Sequence, residues 1–297
     1  MSWRIIYIEE SEYLSLYLDN IKIRRKDDEI IIPLSDIHSL IIDNYKSVLS
    51  VNLLNKCVEY KVNVLLCGID HMPKSLIYPI KGNNQTPKML RAQINWNEEI
   101  KNILQMKIVK GKILNQKQVL ERHKKDLKVI KRLEGFMEEV EPGDVTNREG
   151  LSAKMYFREL FGKDFIRFEQ DAVNAGLNYG YSILRSQISK VLLSRGLNPS
   201  IGIFHKGAEN IFNLSDDVIE VFRPIVDNYV FENLIGSAML TRENRVSLIK
   251  LTTKKMLYNN EKHTFFNVLN LYVNNILDVL QLGIDTLVIP EFKNYDI

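Results

Sequence analysis

Apolar spacing changes once along this chain, across the polar stretch at residues 79–87, and that change limits the fold more than any motif does. On its N-terminal side lie short segments rich in aromatic and β-branched residues, at 3–9, 13–18, 21–25, 29–34, 39–42 and 62–67. Alternation at Leu14, Leu16 and Leu18 predicts a sheet with one face in a core, and Asp19-Asn20 and Asp27-Asp28 read as turns. One amphipathic helix, around 51–60, interrupts the series. The run Lys81-Gly82-Asn83-Asn84-Gln85-Thr86 suits no regular element. Beyond Lys88 the pattern is helical, over 95–139, 147–161, 169–195, 215–240, 247–258 and 262–282, with Gly196 ahead of Asn198-Pro199 as a helix stop. The expected fold is α+β: a small, β-rich, sandwich-like domain over 1–80, a linker over 81–90 and a larger all-α domain over 91–297.

A chain of 297 residues with 45% hydrophobic and 26% charged side chains can bury a substantial core. Its first residues hold too short an apolar run for a signal peptide, and no later stretch is apolar enough to span a bilayer, so the cytoplasm is the expected compartment. Cys57 and Cys67 are too few for a four-thiolate zinc site and are expected as buried, reduced thiols. The net charge of +3 is unevenly spread: residues 1–80 carry 9 Lys and Arg against 11 Asp and Glu, whereas 81–297 carry 31 against 26.

The basic excess peaks at 101–132, where 11 basic side chains face only Glu121 and Asp126. Met106, Ile113, Leu120 and Leu127 recur every seven residues beside a stripe of Lys107, Lys110, Lys117, Lys124, Lys128 and Lys131. The expectation is one helix that packs on one side and displays lysines on another. Such a stripe is either an ordinary solvated face or a track for nucleic-acid phosphates.

Three patches can carry chemistry. Glu149 lies in Arg148-Glu149-Gly150-Leu151-Ser152-Ala153-Lys154-Met155-Tyr156-Phe157, His205 in Gly202-Ile203-Phe204-His205-Lys206-Gly207, and Glu220 in Asp216-Asp217-Val218-Ile219-Glu220-Val221-Phe222-Arg223-Pro224. Two carboxylates and an imidazole with Lys and Arg beside them suit a hard divalent cation that handles phosphates. Each patch also has a plainer reading. Thr146-Asn147-Arg148-Glu149 has the form of a capping box, and a lone histidine between glycines is commonly a hydrogen-bonded, part-buried residue. Ser215-Asp216-Asp217 reads as a capped helix start, with Pro224 ending or kinking that helix after Arg223. Asp217 and Glu220 stand three apart on one helical face. His38, His71, His123 and His263 have no comparable company and read as surface or loop residues.

Spacing alone leaves the function open, but the three patches in this order resemble the CRISPR-associated spacer-acquisition integrases, the Cas "one" family, over nearly the whole chain. Length and the opening Met1-Ser2-Trp3-Arg4 look most like members associated with type II systems. The resemblance implies a β-rich dimerisation domain, a helical catalytic domain and a metal-dependent DNA integrase, with Glu149, His205 and Glu220 as ligands of Mg²⁺ or Mn²⁺. Asp217 matches an acidic residue that supports the last ligand from one turn away. The implied reaction joins the 3′-hydroxyl of a captured DNA fragment to a CRISPR repeat by transesterification. Arg148, Lys206, Arg223, Arg242 and Arg245 join the lysine stripe as candidate phosphate contacts. Implied partners are double-stranded DNA (the fragment and the leader-repeat), a second copy of this chain, the small Cas "two" protein and other type II adaptation factors, with no membrane. A structure-specific metal-dependent nuclease and a non-catalytic DNA-binding scaffold are the rival readings.

Overall fold

The computed structural model describes residues 4–25, 28–79, 83–283 and 287–295. Readings that rest on Met1 to Trp3, Asp27, Lys81, Gly82 or the last two residues lie outside that set. Two compact units divide the chain, Met1–Asn84 and Gln85–Ile297.

The first unit contains β1 (Arg4–Ile8), β2 (Tyr13–Tyr17), β3 (Asn20–Arg24), β4 (Glu29–Pro33), β5 (Ile37–Ile42), β6 (Val48–Leu49), α1 (Val51–Glu59), β7 (Asn63–Cys67) and β8 (Pro73–Ile77). One sheet has the order β1-β5-β7-β8, parallel except for β8. The other has the order β4-β3-β2-β6, antiparallel except for β6. Alternate residues of both sheets meet in one core, Ile8, Leu40, Ile42 and Val64 from the first and Leu14, Ile21 and Ile23 from the second, with Leu53 and Cys57 of α1 closing it. Cys57 is buried and Cys67 half-buried. Tyr17 pairs with Asn20, so the β2–β3 turn is Leu18-Asp19, one residue earlier than the sequence suggests. Leu18 takes a left-handed backbone and is 75% exposed, which removes it from the alternating face. Strands β6 and β8 were not expected: one has two residues, and the other, Pro-Lys-Ser-Leu-Ile, lacks alternation.

The second unit is mostly helical: α2 (Thr86–Ile94), α3 (Glu98–Arg122), α4 (Leu127–Glu139), α5 (Arg148–Phe161), α6 (Ala172–Ser194), α7 (Asn213–Ile219), α8 (Arg223–Leu234), α9 (Arg242–Leu251) and α10 (Phe265–Leu282). The expected linker is thus helical from Thr86, with Pro87 in the first turn where its missing N–H costs nothing. An all-helical reading also misses the hairpin of β9 (Lys255–Tyr258) and β10 (Glu261–Thr264), where a helix was expected to run to residue 258. Its turn is Asn259-Asn260, both at positive φ, the backbone that a two-residue hairpin loop requires. Gly196, at φ 78°, follows the end of α6 as expected. Among the described residues no helix is long and apolar enough to cross a membrane.

The long helix expected over 95–139 is two helices, α3 and α4. Asn97 caps α3, Lys124 takes a left-handed turn after it, and Asp126 caps α4. Rather than lying on the surface, α3 is enclosed, packing against α4, α5, α8 and α10. Leu104, Ile108, Val109, Ile113, Val119 and Leu120 are all buried along it. The lysine stripe is therefore divided. Lys107, Lys110 and Lys117 are half-buried on α3, and the Lys117 ammonium lies 2.8 Å from Glu134 and 3.4 Å from Glu121. Lys124 sits in the turn, and Lys128 and Lys131 are exposed on α4. The seven-residue apolar series stops at the same break, where Leu127 is 70% exposed.

The segment from Pro290 to Tyr295 packs on its own unit. Phe292 and Tyr295 are buried, and Asn115 of α3 donates to the Pro290 carbonyl (2.9 Å) and accepts from the Phe292 N–H (2.9 Å).

Close backbone approach joins α6 to α8. A Cβ at Gly176 would lie 2.2 Å from Leu234 Cδ1, and one at Gly180 would lie 2.5 Å from Val226 Cγ1. Overpacking of this kind costs about 1–3 kcal/mol, against up to about 1 kcal/mol of helix propensity gained on leaving glycine. Gly180→Ala is expected to lower stability by about 1–2 kcal/mol net, read as a reduced urea midpoint at unchanged slope.

Candidate active site

Two of the three sequence patches, those of Glu149 and Glu220, meet at Lys112 of α3. Its ammonium lies 2.7 Å from Glu149 Oε1 and 2.5 Å from Glu220 Oε2. Burial alone would lower the Lys112 pKa, but the two glutamates together raise it above the ordinary lysine value.

Glu149 lies in the first turn of α5 and is not spent on capping. The Asn147 side chain, on a left-handed residue, accepts from Gly150 N–H at 3.1 Å, and the Asp144 carboxylate accepts from the N–H groups of Arg148 (2.8 Å) and Glu149 (3.0 Å). The expected Thr146–Glu149 box is therefore not formed, and the Glu149 carboxylate is left for Lys112.

His205 is held by Asp217. Asp217 Oδ1 accepts from the His205 ring Nδ1 (2.7 Å) and from the His205 N–H (2.9 Å), while Oδ2 accepts from the N–H groups of Phe204 (3.3 Å) and Ile203. A fully buried carboxylate thus gathers three consecutive amides and fixes the imidazole, leaving Nε2 as the ring nitrogen open to a ligand. Gly202 permits the tight loop, since a Cβ there would meet the His205 carbonyl at 2.3 Å. Burial would lower the His205 pKa, but the Asp217 hydrogen bond and charge, aided by Glu220 and Glu149, raise it.

Glu220 follows α7 in a 3-10 turn, Glu220–Phe222, that leads into α8. The expected hydroxyl-capped start at Ser215 is absent: α7 begins at Asn213, and Ser215 is buried against Ser189. Pro224 opens α8 rather than ending a helix. Arg223, expected as a phosphate contact, instead places Nε 2.9 Å from Glu220 Oε1 and stacks its guanidinium 4.6 Å from the Tyr181 ring. Burial would raise the Glu220 pKa, yet Arg223 and Lys112 hold it below the usual carboxylate range. Asp216 is taken up by Arg185 (2.9 Å) and Asn210 (2.9 Å).

The donor set fits a hard dication in chemistry. Glu220 Oε2 is buried and, for all its closeness to Lys112, has no partner in hydrogen-bond geometry. Two carboxylates and an oriented imidazole are the ligands such an ion takes. As they stand, no three His, Cys, Asp or Glu side chains among the described residues are grouped tightly enough to hold a metal, and the Lys112 ammonium stands between the two glutamates.

A family model described as CRISPR associated protein Cas1 matches residues 5–262. The chain belongs to that family. It is 37% identical over 227 residues to the CRISPR-associated endonuclease Cas1 of Neisseria meningitidis, covering 76% of this chain and 74% of the relative. Its fold is similar to that of a casposase bound to integration product, with TM-score 0.76 at 20% identity over 100% of this chain and 95% of the other. It is also similar to a chain of a Cas6-RT-Cas1–Cas2 complex, with TM-score 0.72 at 17% identity over 95% of this chain and 35% of the other. At those identities the structural likeness is one of fold.

Other basic residues expected near DNA are placed unevenly. Lys206 is exposed, 3.6 Å from Glu98, and Arg148 lies 3.0 Å from Glu139. Arg242 is exposed at the start of α9, whereas Arg245 is buried and directed at the Leu240 carbonyl, which removes it from the surface. Sequence reasoning missed Lys112 and Asp144, neither of which lies in the three patches. Helical phase marks Lys112: it follows Leu104 and Ile108 and precedes Asn115 and Val119 on a buried face.

Behind Arg223, Asp227 of α8 is buried and accepts from the Tyr181 hydroxyl, while Tyr156 faces it without reaching hydrogen-bond geometry. Burial pushes this carboxyl up to about 7, against the pull of the two tyrosines and of Arg223 and Arg167. A folded-state value above the unfolded one makes stability fall as pH rises from about 4 towards 7, by about 1–1.5 kcal/mol per pH unit. Asp227→Asn keeps an acceptor for Tyr181 without the charge. Its stability relative to wild type is expected to improve between pH 5 and pH 8, measured by urea unfolding at both.

Proposed function

We propose that this chain is a metal-dependent DNA integrase of CRISPR adaptation, joining the 3′-hydroxyl ends of captured double-stranded DNA to a CRISPR leader-repeat by transesterification. The observation that supports it most is the convergence of Glu149 and Glu220 on one point beside an Asp217-oriented His205, within a chain of the Cas1 family. The casposase of similar fold, bound to its integration product, agrees with this reading.

Glu149, Glu220 and Nε2 of His205 would hold Mg²⁺ or Mn²⁺, which when bound supplies Lewis-acid activation of the attacking hydroxyl and charge neutralisation at the phosphate. Asp217 keeps the imidazole in the tautomer that presents Nε2 outward. Arg223 holds Glu220 ionised and fixes its carboxylate through Oε1. One phosphodiester replaces another, so no nucleotide triphosphate is consumed. The exposed Lys124, Lys128, Lys131 and Lys206 are the stripe and loop cations available to backbone phosphates.

The assembly that suits this reading is a homodimer formed through the β-rich unit, whose negative charge makes it a poor DNA face. Two such dimers would flank a dimer of the small Cas2 protein, with further type II adaptation factors in the cytoplasm; the likeness to a chain of a Cas6-RT-Cas1–Cas2 complex supports the Cas2 partnership. A second reading, a metal-dependent DNA endonuclease, is favoured by the activity for which the Neisseria relative is named. Water in place of the 3′-hydroxyl gives that reaction at the same site.

The deciding experiment is transfer of a labelled 3′-hydroxyl DNA fragment into a supercoiled plasmid carrying a leader and repeat, with Mg²⁺ or Mn²⁺ and the Cas2 partner. Wild type is expected to join label to plasmid, and Glu220→Ala to abolish joining. Asp217→Asn is expected to lose activity or metal affinity by about 10–100-fold, as loss of a residue that orients a ligand does. Metal-dependent nicking without joined label would assign the endonuclease instead. DNA binding with neither reaction would leave only a scaffold.

Replacing Lys124, Lys128 and Lys131 together by Gln is expected to weaken DNA binding without regard to sequence. The slope of log K against log salt would shrink by up to about 0.9 for each phosphate that the protein no longer neutralises, measured by fluorescence anisotropy across a salt series.

A further inference from the structure

Resting on the metal-site reading above, we infer that Lys112 is an internal counter-ion which holds Glu149 and Glu220 together in the metal-free protein and must be displaced for a divalent cation to bind. The ammonium already makes the contacts that an ion would make with these carboxylates, at 2.7 and 2.5 Å. Metal–oxygen distances for Mg²⁺ are about 2.1 Å, so the ion and the ammonium require the same space between the same two oxygens.

Charge leads to the same conclusion. Lys112 and Arg223 alternate with Glu149 and Glu220 in a largely buried pocket, with Asp216 3.8 Å from Arg223. Adding a dication with the ammonium still in place would press like charges together between the same two carboxylates, which burial makes costly. Arg223 approaches Glu220 through Oε1, the oxygen that Lys112 does not use, so the guanidinium can stay while the ammonium leaves.

The backbone cannot make the exchange by moving, because α3 is locked on both sides of Lys112. A Cβ at Gly111 would lie 2.6 Å from Ile289 Cγ2, and Asn115 is bonded to Val221, Pro290 and Phe292. The flexible four-carbon stem of Lys112 is what swings. The site would therefore be kept assembled, with its carboxylates paired and their mutual repulsion relieved, before any metal arrives.

The test is Mn²⁺ binding to the full chain by calorimetry and electron paramagnetic resonance, comparing wild type, Lys112→Met and Glu220→Ala. Lys112→Met is expected to bind Mn²⁺ at least about tenfold more tightly, the equivalent of one charged hydrogen bond no longer broken on binding. Glu220→Ala is expected to lose binding. Equal or weaker Mn²⁺ binding by Lys112→Met, with wild type binding normally, overturns the inference while the metal site stands. Absence of binding in both wild type and Lys112→Met overturns the metal site and the inference with it.

Should Lys112→Met fail to fold, reductive methylation of wild type decides, with mass spectrometry of the Lys112 peptide. Labelling of Lys112 is expected to rise when Mg²⁺ replaces chelator. No rise at a Mg²⁺ concentration that raises the Tm overturns the inference.

Discussion

A 25-residue helix enclosed on nearly all sides carries inward polar side chains that are costly to bury without partners, and α3 is such a helix. Those requirements draw the rest of the second unit around it. Asn115 bonds to the Val221 carbonyl at the Glu220 turn and to the C-terminal segment at Pro290 and Phe292. Gln118 bonds to Glu291 and to the Lys293 N–H. Lys117 is taken up by Glu134 of α4. Lys112, the most demanding because it is charged, takes a carboxylate from α5 and another from the turn after α7. The interactions that satisfy α3 are thus the interactions that assemble the candidate site.

Within that site, position and charge are set by different residues. Asp144 and Asn147 cap α5 and leave the Glu149 side chain uncommitted. Asp217 collects the amides of the Ile203–His205 loop and the imidazole itself, so one buried carboxylate fixes both the loop and the ring. Arg223 and Lys112 keep Glu220 ionised despite its burial. Removing either cation would leave the buried carboxylates only partly compensated, which is why such clusters respond more strongly to single substitutions than to replacement of a whole pair.

Several sequence readings failed for reasons that were local and physical. Lysines repeating near the helical period look like a solvated stripe, but periodicity does not reveal that α3 is surrounded, nor that Lys124 turns the chain before α4. Thr146–Glu149 matches a capping box in spacing, yet Asn147, in the left-handed region, is the cap that forms. Asn259-Asn260 carries the hairpin signal, hidden because the flanking four-residue strands fit a helical pattern equally well. Leu18 extends an apolar alternation into a turn, where pairing of Tyr17 with Asn20 and not hydrophobicity decides its backbone.

The sequence by itself determined the division into a β-rich and a mostly helical unit, because periods of two and of about 3.6 are written in the side chains. It also determined the family and the chemical identity of Glu149, His205, Asp217 and Glu220, since motif residues can be read one at a time. Tertiary structure alone decided which cations those carboxylates face. Lys112 lies 37 residues before Glu149 and 108 before Glu220, and no local rule connects such positions. Arg223 was visible as a positive charge, but whether it meets a phosphate or Glu220 depends on which way the Glu220–Phe222 turn directs it. Charge partnership in a buried pocket is a property of packing, and packing is what a one-dimensional pattern leaves open.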